Sequence, residues 1–184
     1  MVGVAFVPHC GTRLWYKGLL SQIAVEEVSQ LIVGQAVTQE TNDKKQIEPM
    51  VEAIQKQAGQ KPIELLADSG YCSETNLKYL HKKKISAYVA TSRQKHGRQP
   101  ASCKRGPLPN GATIVDRMRR KLQTKSGATV YAARKSIVEP VFGQIKHARG
   151  FRQFLMRGIE KVKAEWALVC ATHNILKLYR MCYA

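Results

Sequence analysis

Two acidic residues lie in sequence surroundings that suit metal chemistry. Asp68 closes the short apolar run PIELLA and is followed by Ser-Gly, so we predict that it ends a buried strand, where open α/β sheets place their ligands. Glu139 lies in a long basic tract in which Asp116 is the only other acid. Magnesium prefers oxygen ligands, and two such ions can activate a hydroxyl and stabilise a leaving oxygen in phosphodiester cleavage. The pair therefore indicates a Mg²⁺ or Mn²⁺ site.

A purely structural role is the alternative for both acids. Asp before Ser-Gly is a common turn former. Glu139 precedes Pro140 and could be a first-turn acid that the helix dipole favours. Residue types and spacing alone leave both alternatives open.

Aromatic and cationic residues recur at helical spacing around Glu139. Phe142 and Lys146 follow it at i+3 and i+7, which predicts that they share its face of a helix. Tyr131 and Arg134 are three residues apart in the preceding turns. Arg and Lys beside a carboxylate suit phosphate contact, Arg through its bidentate fork and Lys as a point charge. A solvated basic face is the alternative.

The charge balance favours a polyanionic partner. The chain of 184 residues has 30 Lys and Arg against 13 Asp and Glu, a formal net charge of +17, so nucleic acid is the first expectation. Arg119 and Arg120 of the basic tract are further candidate DNA contacts. We see no spanning-length apolar run and no secretory leader, so we expect a cytoplasmic, nucleoid-associated protein. The five cysteines include no C-x-x-C pair, which favours reduced thiols.

Hydrophobic periodicity predicts an α/β domain that would position these residues. We expect a strand hairpin over 22–26 and 31–37, a helix over 44–58 capped by Asp43, a strand over 62–67, a helix over 74–84 and a strand over 85–90. Residues 91–125 are predicted to be an exposed basic insertion, and helices are expected over 130–148 and 159–179. His173 lies on an apolar helix face and is assigned a structural role. We therefore divide the chain into a poorly defined segment 1–20 and a catalytic domain 21–184.

Two runs of the sequence carry a family resemblance. LLADSGYCSETNLKYL with the following ISAYVATSRQKHG, and later RKSIVEPVFGQIKHARGFRQFLMRGIEKVKAEWALVCATHNILKL, closely resemble the DDE transposases of bacterial insertion sequences. The resemblance extends from about Gln22 to Leu178. It implies an RNase H-like core in which three acids hold two divalent metals, with Asp68 matching the second acid and Glu139 the third.

The resemblance also assigns DNA contacts. The family's Tyr-Arg-Glu-Lys signature is similar to Tyr131, Arg134, Glu139 and Lys146, with one more residue between Arg and Glu than the commonest spacing. It implies that Arg134 and Lys146 contact DNA phosphates near the cut.

One departure from the family concerns the first catalytic Asp, which the resemblance places on the first strand. The chain has no Asp before Asp43, and Asp43 matches a helix-capping position, so the catalytic role is not transferred to it. We expect an N-terminally truncated or decayed transposase with impaired cleavage and strand transfer at transposon ends. The alternative is an inactive DNA-binding remnant. A homo-oligomer or association with a full-length transposase is a further expectation, and an RNA-binding role is less favoured because the aromatic motifs of common RNA modules are missing.

Overall fold

Five strands form one mixed sheet in the computed structural model, which describes residues 3–8, 19–40, 43–92 and 106–183, of 3–8 the backbone only. The strands are β1 (Gly3–Pro8), β2 (Leu20–Glu26), β3 (Ile32–Thr38), β4 (Glu64–Ala67) and β5 (Ser86–Val89). Their order across the sheet is β3-β2-β1-β4-β5. β2 is antiparallel to both neighbours, whereas β1, β4 and β5 are parallel. This is the RNase H-like α/β arrangement that the resemblance implied.

Five α-helices cover the two faces of the sheet. They are α1 (Ile47–Ala58), α2 (Glu74–Lys82), α3 (Ile114–Gln123), α4 (Lys125–Gly143) and α5 (Ile159–Tyr183). Buried residues of α1 and α2 pack on one face with Leu65 and Ala67 of β4. Buried residues of α4 and α5 pack on the other face with Leu66. Successive β4 side chains alternate between the two cores because side chains in a strand alternate in direction.

The predicted hairpin is confirmed as β2 and β3, and the stripe Ile47, Met50, Val51 and Ile54 of α1 is buried as its spacing predicted. The predicted cap of this helix is wrong. Gln46 is its N-cap residue, and Asp43 instead begins a separate 3-10 turn, Asp43–Lys45. The Asp43 side chain accepts a hydrogen bond from Gln22 of β2, because a long-range buried partner outcompetes the local backbone N–H groups.

The prediction that residues 91–125 are wholly exposed is wrong over residues 114–123. There α3 begins with a capping box between Thr113 and Asp116, and Ile114, Val115 and Met118 pack against the core shared with α1 and α2. Residues 93–105 lie outside the described ranges.

A strand that we did not predict occupies the centre of the sheet. β1 pairs Phe6 with Ala67 on one side and Pro8 with Gln22 on the other. The end of β1, the start of β2 and the end of β4 therefore meet at one edge, which we call the carboxyl edge. Asp68 follows β4 directly at this edge.

The C-terminal helices are held to the sheet by aromatic packing. Phe151 and Phe154 pack around the fully buried Trp166 of α5. His173 is buried, and its Nε2 atom lies 3.2 Å from the Gln30 carbonyl oxygen, in keeping with the structural role assigned to it. Cys72, Cys170 and Cys182 are free thiols. No helix among the described residues combines the length and apolarity needed to cross a bilayer.

Candidate active site

Asp68 lies where the sequence predicted it, at the carboxyl edge directly after β4. Its Oδ1 atom accepts a hydrogen bond of 2.7 Å from the Ser69 amide, which caps the 3-10 turn Ser69–Tyr71. The side chain is half-buried. Asp68 can therefore cap the turn and still present a carboxylate oxygen at the strand end, because capping engages only one of its two oxygens.

Tyr131 of α4 lies within electrostatic range of this carboxylate and contacts Arg134. The central carbon of the Arg134 guanidinium is 5.4 Å from the centroid of the Tyr131 ring. Burial raises the pKa of Tyr131, the nearby Arg134 opposes that rise, and the negative charge of Asp68 adds to it. The Arg134 Nε atom is buried and donates to no acceptor among the described residues. The structure thus places Tyr131 within electrostatic range of Asp68 and packs Arg134 on the Tyr131 ring.

Glu139 is exposed on α4, and its side chain forms no ion pair with another described residue. At 1.5 Å per residue it is about 12 Å along the helix from Tyr131, and at i+5 it is rotated by about 140° from Arg134. The commoner spacing with one residue fewer would reduce that rotation to about 40°. The extra residue therefore turns Glu139 away from the face that carries Arg134. Because Glu139 lies deep inside α4, the first-turn alternative no longer applies.

Lys146 is buried, unlike the exposed Glu139 with which it was predicted to share a face. It lies in a π-helical segment, Gln144–Ala148, that follows α4, and the wider turn breaks the i+3, i+7 spacing on which the prediction rested. Its ammonium is 5.7 Å from the centroid of the Phe142 ring. Burial lowers the pKa of Lys146 to about 8.

Arg119 and Arg120 lie on α3 at the rim of the carboxyl edge. Arg119 forms an exposed ion pair of 2.9 Å with Asp116, and Arg120 donates to the Gly106 carbonyl. Burial raises the pKa of the Cys72 thiol, while Arg119 and Lys44 oppose the rise. Arg119 and Lys44 are therefore close to Cys72, which ends the turn that follows Asp68.

Asp43 is the site residue whose position the sequence analysis missed. Its Oδ2 atom would lie 3.0 Å from a Cβ atom on Gly70, the middle residue of the turn that Asp68 caps. Burial raises the pKa of Asp43, the Gln22 hydrogen bond opposes this, and the charge of Asp68 raises it further. Burial also raises the pKa of Tyr71, and the negative charges of Asp43 and Asp68 raise it further. No sequence signal indicated that Asp43 lies near Asp68, because a helix-capping role already accounted for an aspartate at this position.

The donor chemistry of the carboxyl edge fits a divalent cation. Asp43 and Asp68 supply carboxylate oxygens, and the Oε1 atom of Gln22 is buried and accepts no hydrogen bond within the described part of the chain. Mg²⁺ is usually held by only one or two carboxylates with water and phosphate completing the shell. Within the same described ranges, no group of three or more His, Cys, Asp or Glu is arranged to hold a metal. The edge therefore suits an ion that shares its ligands with a phosphate.

A comparison with known families matches part of this chain. Residues 91–179 match the model of the family described as transposase DDE domain. The match covers α3, α4 and α5 and with them Tyr131, Arg134, Glu139 and Lys146. A comparison with curated proteins gave no match. Over residues 91–179, this chain is therefore similar to the transposase DDE domain family.

Proposed function

We propose that this protein binds DNA and that its carboxyl edge supports metal-dependent cleavage or transfer of a phosphodiester during DNA transposition. The observation that carries the proposal is that Tyr131, with Arg134 packed on its ring, lies within electrostatic range of Asp68 where β4 ends. A carboxylate beside a guanidinium suits a metal ion on one side of a phosphate and a bidentate hydrogen bond on the other. The proposed partner is DNA, and for a transposase this DNA would be the transposon ends.

Each residue has a proposed role. Asp68 and Glu139 would hold Mg²⁺ or Mn²⁺, which when bound supplies an activated hydroxyl and stabilises the leaving oxygen. Arg134 holds the phosphate, and Tyr131 keeps the guanidinium in place. Lys146, Arg119 and Arg120 are the remaining proposed DNA contacts. For Glu139 to share a metal with Asp68, α4 would have to turn or shift when DNA binds, because the Glu139 side chain is exposed on this helix.

A second candidate is a DNA-binding protein without cleavage activity. The observation that favours it is the composition of β1, whose residues GVAFVP pair with β4 beside Asp68 but include no acid. A two-metal mechanism loses a bridging ligand when a carboxylate is absent from that strand. This candidate predicts DNA binding without strand cleavage, and association with intact transposase copies would then be its route of action.

Plasmid nicking in the presence of Mn²⁺, together with duplex binding followed by fluorescence anisotropy, tests both candidates. We expect weak nicking that Asp68→Asn and Glu139→Gln abolish, while the exposed acid on α5 changed in Glu160→Gln serves as a charge-matched control. Asn at position 68 can still cap the turn, so folding should be retained. Nicking that Asp68→Asn leaves unchanged would contradict the proposal. Binding with no nicking by the wild-type chain would favour the second candidate.

A further inference from the structure

The last helix, α5, is apolar on two opposite sides. The side that faces the sheet buries Val162, Trp166, Cys170 and His173. The opposite side carries large hydrophobic residues that are exposed, among them Leu168, Ile175 and Leu178, with 66%, 65% and 48% of their surface accessible. Packing on the sheet satisfies a helix with one apolar side, whereas a helix that is apolar all round is normally buried on all sides. The outer side of α5 is therefore a candidate interaction surface.

The exposed residues on the outer side of α5 follow a heptad repeat. They recur at alternating intervals of four and three residues, at the positions that are termed d and a in a coiled coil: Ala164, Leu168, Ala171, Ile175, Leu178 and Cys182. All six are exposed, and we name them the α5 seam. A mean spacing of 3.5 residues keeps such a stripe on one side of a helix, where it can interlock with a second helix. Ile175 at an a position and Leu178 at a d position favour two parallel helices.

Charged side chains are kept away from the α5 seam. Between Ala167 and Tyr183 the charged residues are Lys177 and Arg180. Lys177 donates a hydrogen bond of 2.8 Å to the Oε1 atom of Gln30, on the sheet side of the helix, and Arg180 follows buried His173 at i+7, which places it on that side too. In a chain with a net charge of +17, an uncharged face neither attracts DNA nor repels a second copy of the same chain. The partner that this face fits is another uncharged apolar stripe.

The area of the exposed face suits a second copy of the chain. Tyr179 and Met181 flank the α5 seam, each 61% exposed, and the Tyr179 ring packs on Tyr183 with 5.0 Å between the ring centroids. Together with the large residues of the seam they expose on the order of 500 Å², at roughly 150 Å² or more for each fully accessible large side chain. Two such faces would bury about 1,000 Å², which is the lower limit for a specific interface.

We propose that two copies of this chain associate through the α5 seam as a parallel two-stranded coiled coil, with the two-fold axis along the paired helices. Each a residue then faces the same residue of the second copy, so Ile175 packs on Ile175 and Cys182 lies beside Cys182. The small side chains of Ala164 and Ala171 let the two helices approach closely between the layers of large residues. The inference does not depend on the proposed function, because the seam includes none of the residues proposed to hold metal or DNA.

Sedimentation equilibrium of the full chain tests this inference. We expect the mass to rise from monomer to dimer in the micromolar range, because the interface is small, and to do so in about 1 M salt, where bridging by DNA is lost. Ile175→Glu sets two carboxylates against each other in one layer and should weaken dimerisation at least about tenfold. Ile63→Glu changes an isoleucine of similar exposure, 59%, outside α5. This control should dimerise as the wild type does.

Oxidation of Cys182 reports whether the paired helices are parallel. Diamide takes two electrons and two protons from a pair of thiols and leaves a disulfide, which requires Cα atoms within about 7 Å of each other. We expect a cross-linked dimer on a non-reducing gel for the wild type and its loss in Cys182→Ser.

Three results would overturn the inference: a wild-type chain that stays monomeric up to about 100 µM, far above the micromolar range, equal dimerisation by Ile175→Glu and Ile63→Glu, or cross-linking of Cys182→Ser to the same extent as the wild type. Circular dichroism checks that Ile175→Glu is folded, and Leu178→Glu on the same seam is a second variant that guards against a folding defect in the first. Dimerisation through the seam in a protein that neither binds nor nicks DNA would support the inference while the proposed function fails.

Discussion

The guanidinium of Arg134 lies over the ring of Tyr131, one helical turn away, with 5.4 Å between its central carbon and the ring centroid. Asp68 acts electrostatically on the same tyrosine. The ring therefore contacts the cation and also lies within electrostatic range of the acid that follows β4. This pair links the helix that carries the family signature to the strand that carries the acid.

Substitutions in this pair should weaken DNA binding to different degrees. We expect Arg134→Gln to lower the affinity for duplex DNA about tenfold or more, because a charge-assisted hydrogen bond contributes about 1.5–3 kcal/mol. Tyr131→Leu keeps the Arg134 charge but removes the cation–π contact, about 0.5–1 kcal/mol, and the side-chain hydrogen bond to Arg134, and should cost a few fold. Anisotropy titrations measure both. Arg180→Gln, an exposed charge near the end of α5, is the matched control, and an equal loss in that variant would mean that only net charge matters.

DNA binding should depend steeply on salt. Phosphate contacts release counterions, so the logarithm of the binding constant should fall linearly with the logarithm of the salt concentration, with a slope of about −0.9 per contact. Arg119 is exposed, and a phosphate can replace its surface ion pair with Asp116 at little cost. Arg119→Gln should therefore make the slope shallower by about 0.9, which corresponds to the loss of one phosphate contact. An affinity for DNA that stays constant between about 50 and 200 mM salt would exclude an interface dominated by phosphate contacts.

Stability should rise with pH through the titration of Lys146. Its pKa is lowered from 10.5 to about 8 in the folded chain, so between these values the unfolded chain binds the proton more readily. The free energy of unfolding then increases with pH across that window. Urea unfolding at several pH values measures it, and Lys146→Met should flatten the rise relative to the wild type. Identical pH profiles for the two proteins would contradict the buried-lysine explanation.

Two glycines of α4 offer a matched test of packing. A Cβ atom on Gly127 would overlap the Lys121 carbonyl oxygen at the junction of α3 and α4, whereas one on Gly143 would meet nothing within 4 Å. We expect Gly127→Ala to destabilise the protein by about 1–3 kcal/mol. Gly143→Ala should be neutral or stabilising by up to about 1 kcal/mol, because alanine favours a helix. Equal midpoints of urea denaturation would show that the junction can relax.

Local sequence patterns predicted most of the elements but not the centre of the sheet. The apolar stripe of α1 and the apolar run before Asp68 were sufficient to predict a helix and a strand. Burial produces a hydrophobic pattern that can be seen within a single segment. β1 has no such period. It is defined by its partners β2 and β4, and pairing with distant strands leaves no signature within six residues.

The sequence by itself determined the residue types of this site: a strand-end aspartate, a helix with Tyr131, Arg134 and Glu139, and a large excess of positive charge. Only the tertiary structure decided which of them meet. Tyr131 lies within electrostatic range of Asp68 because α4 packs on the sheet beside β4. Asp43 joins Asp68 because β3 and β4, separated along the chain by α1, end at the same edge of the sheet. The spacing of these residues along the chain predicts neither of these approaches, because both are fixed by strand pairing and by the packing of helices on the sheet.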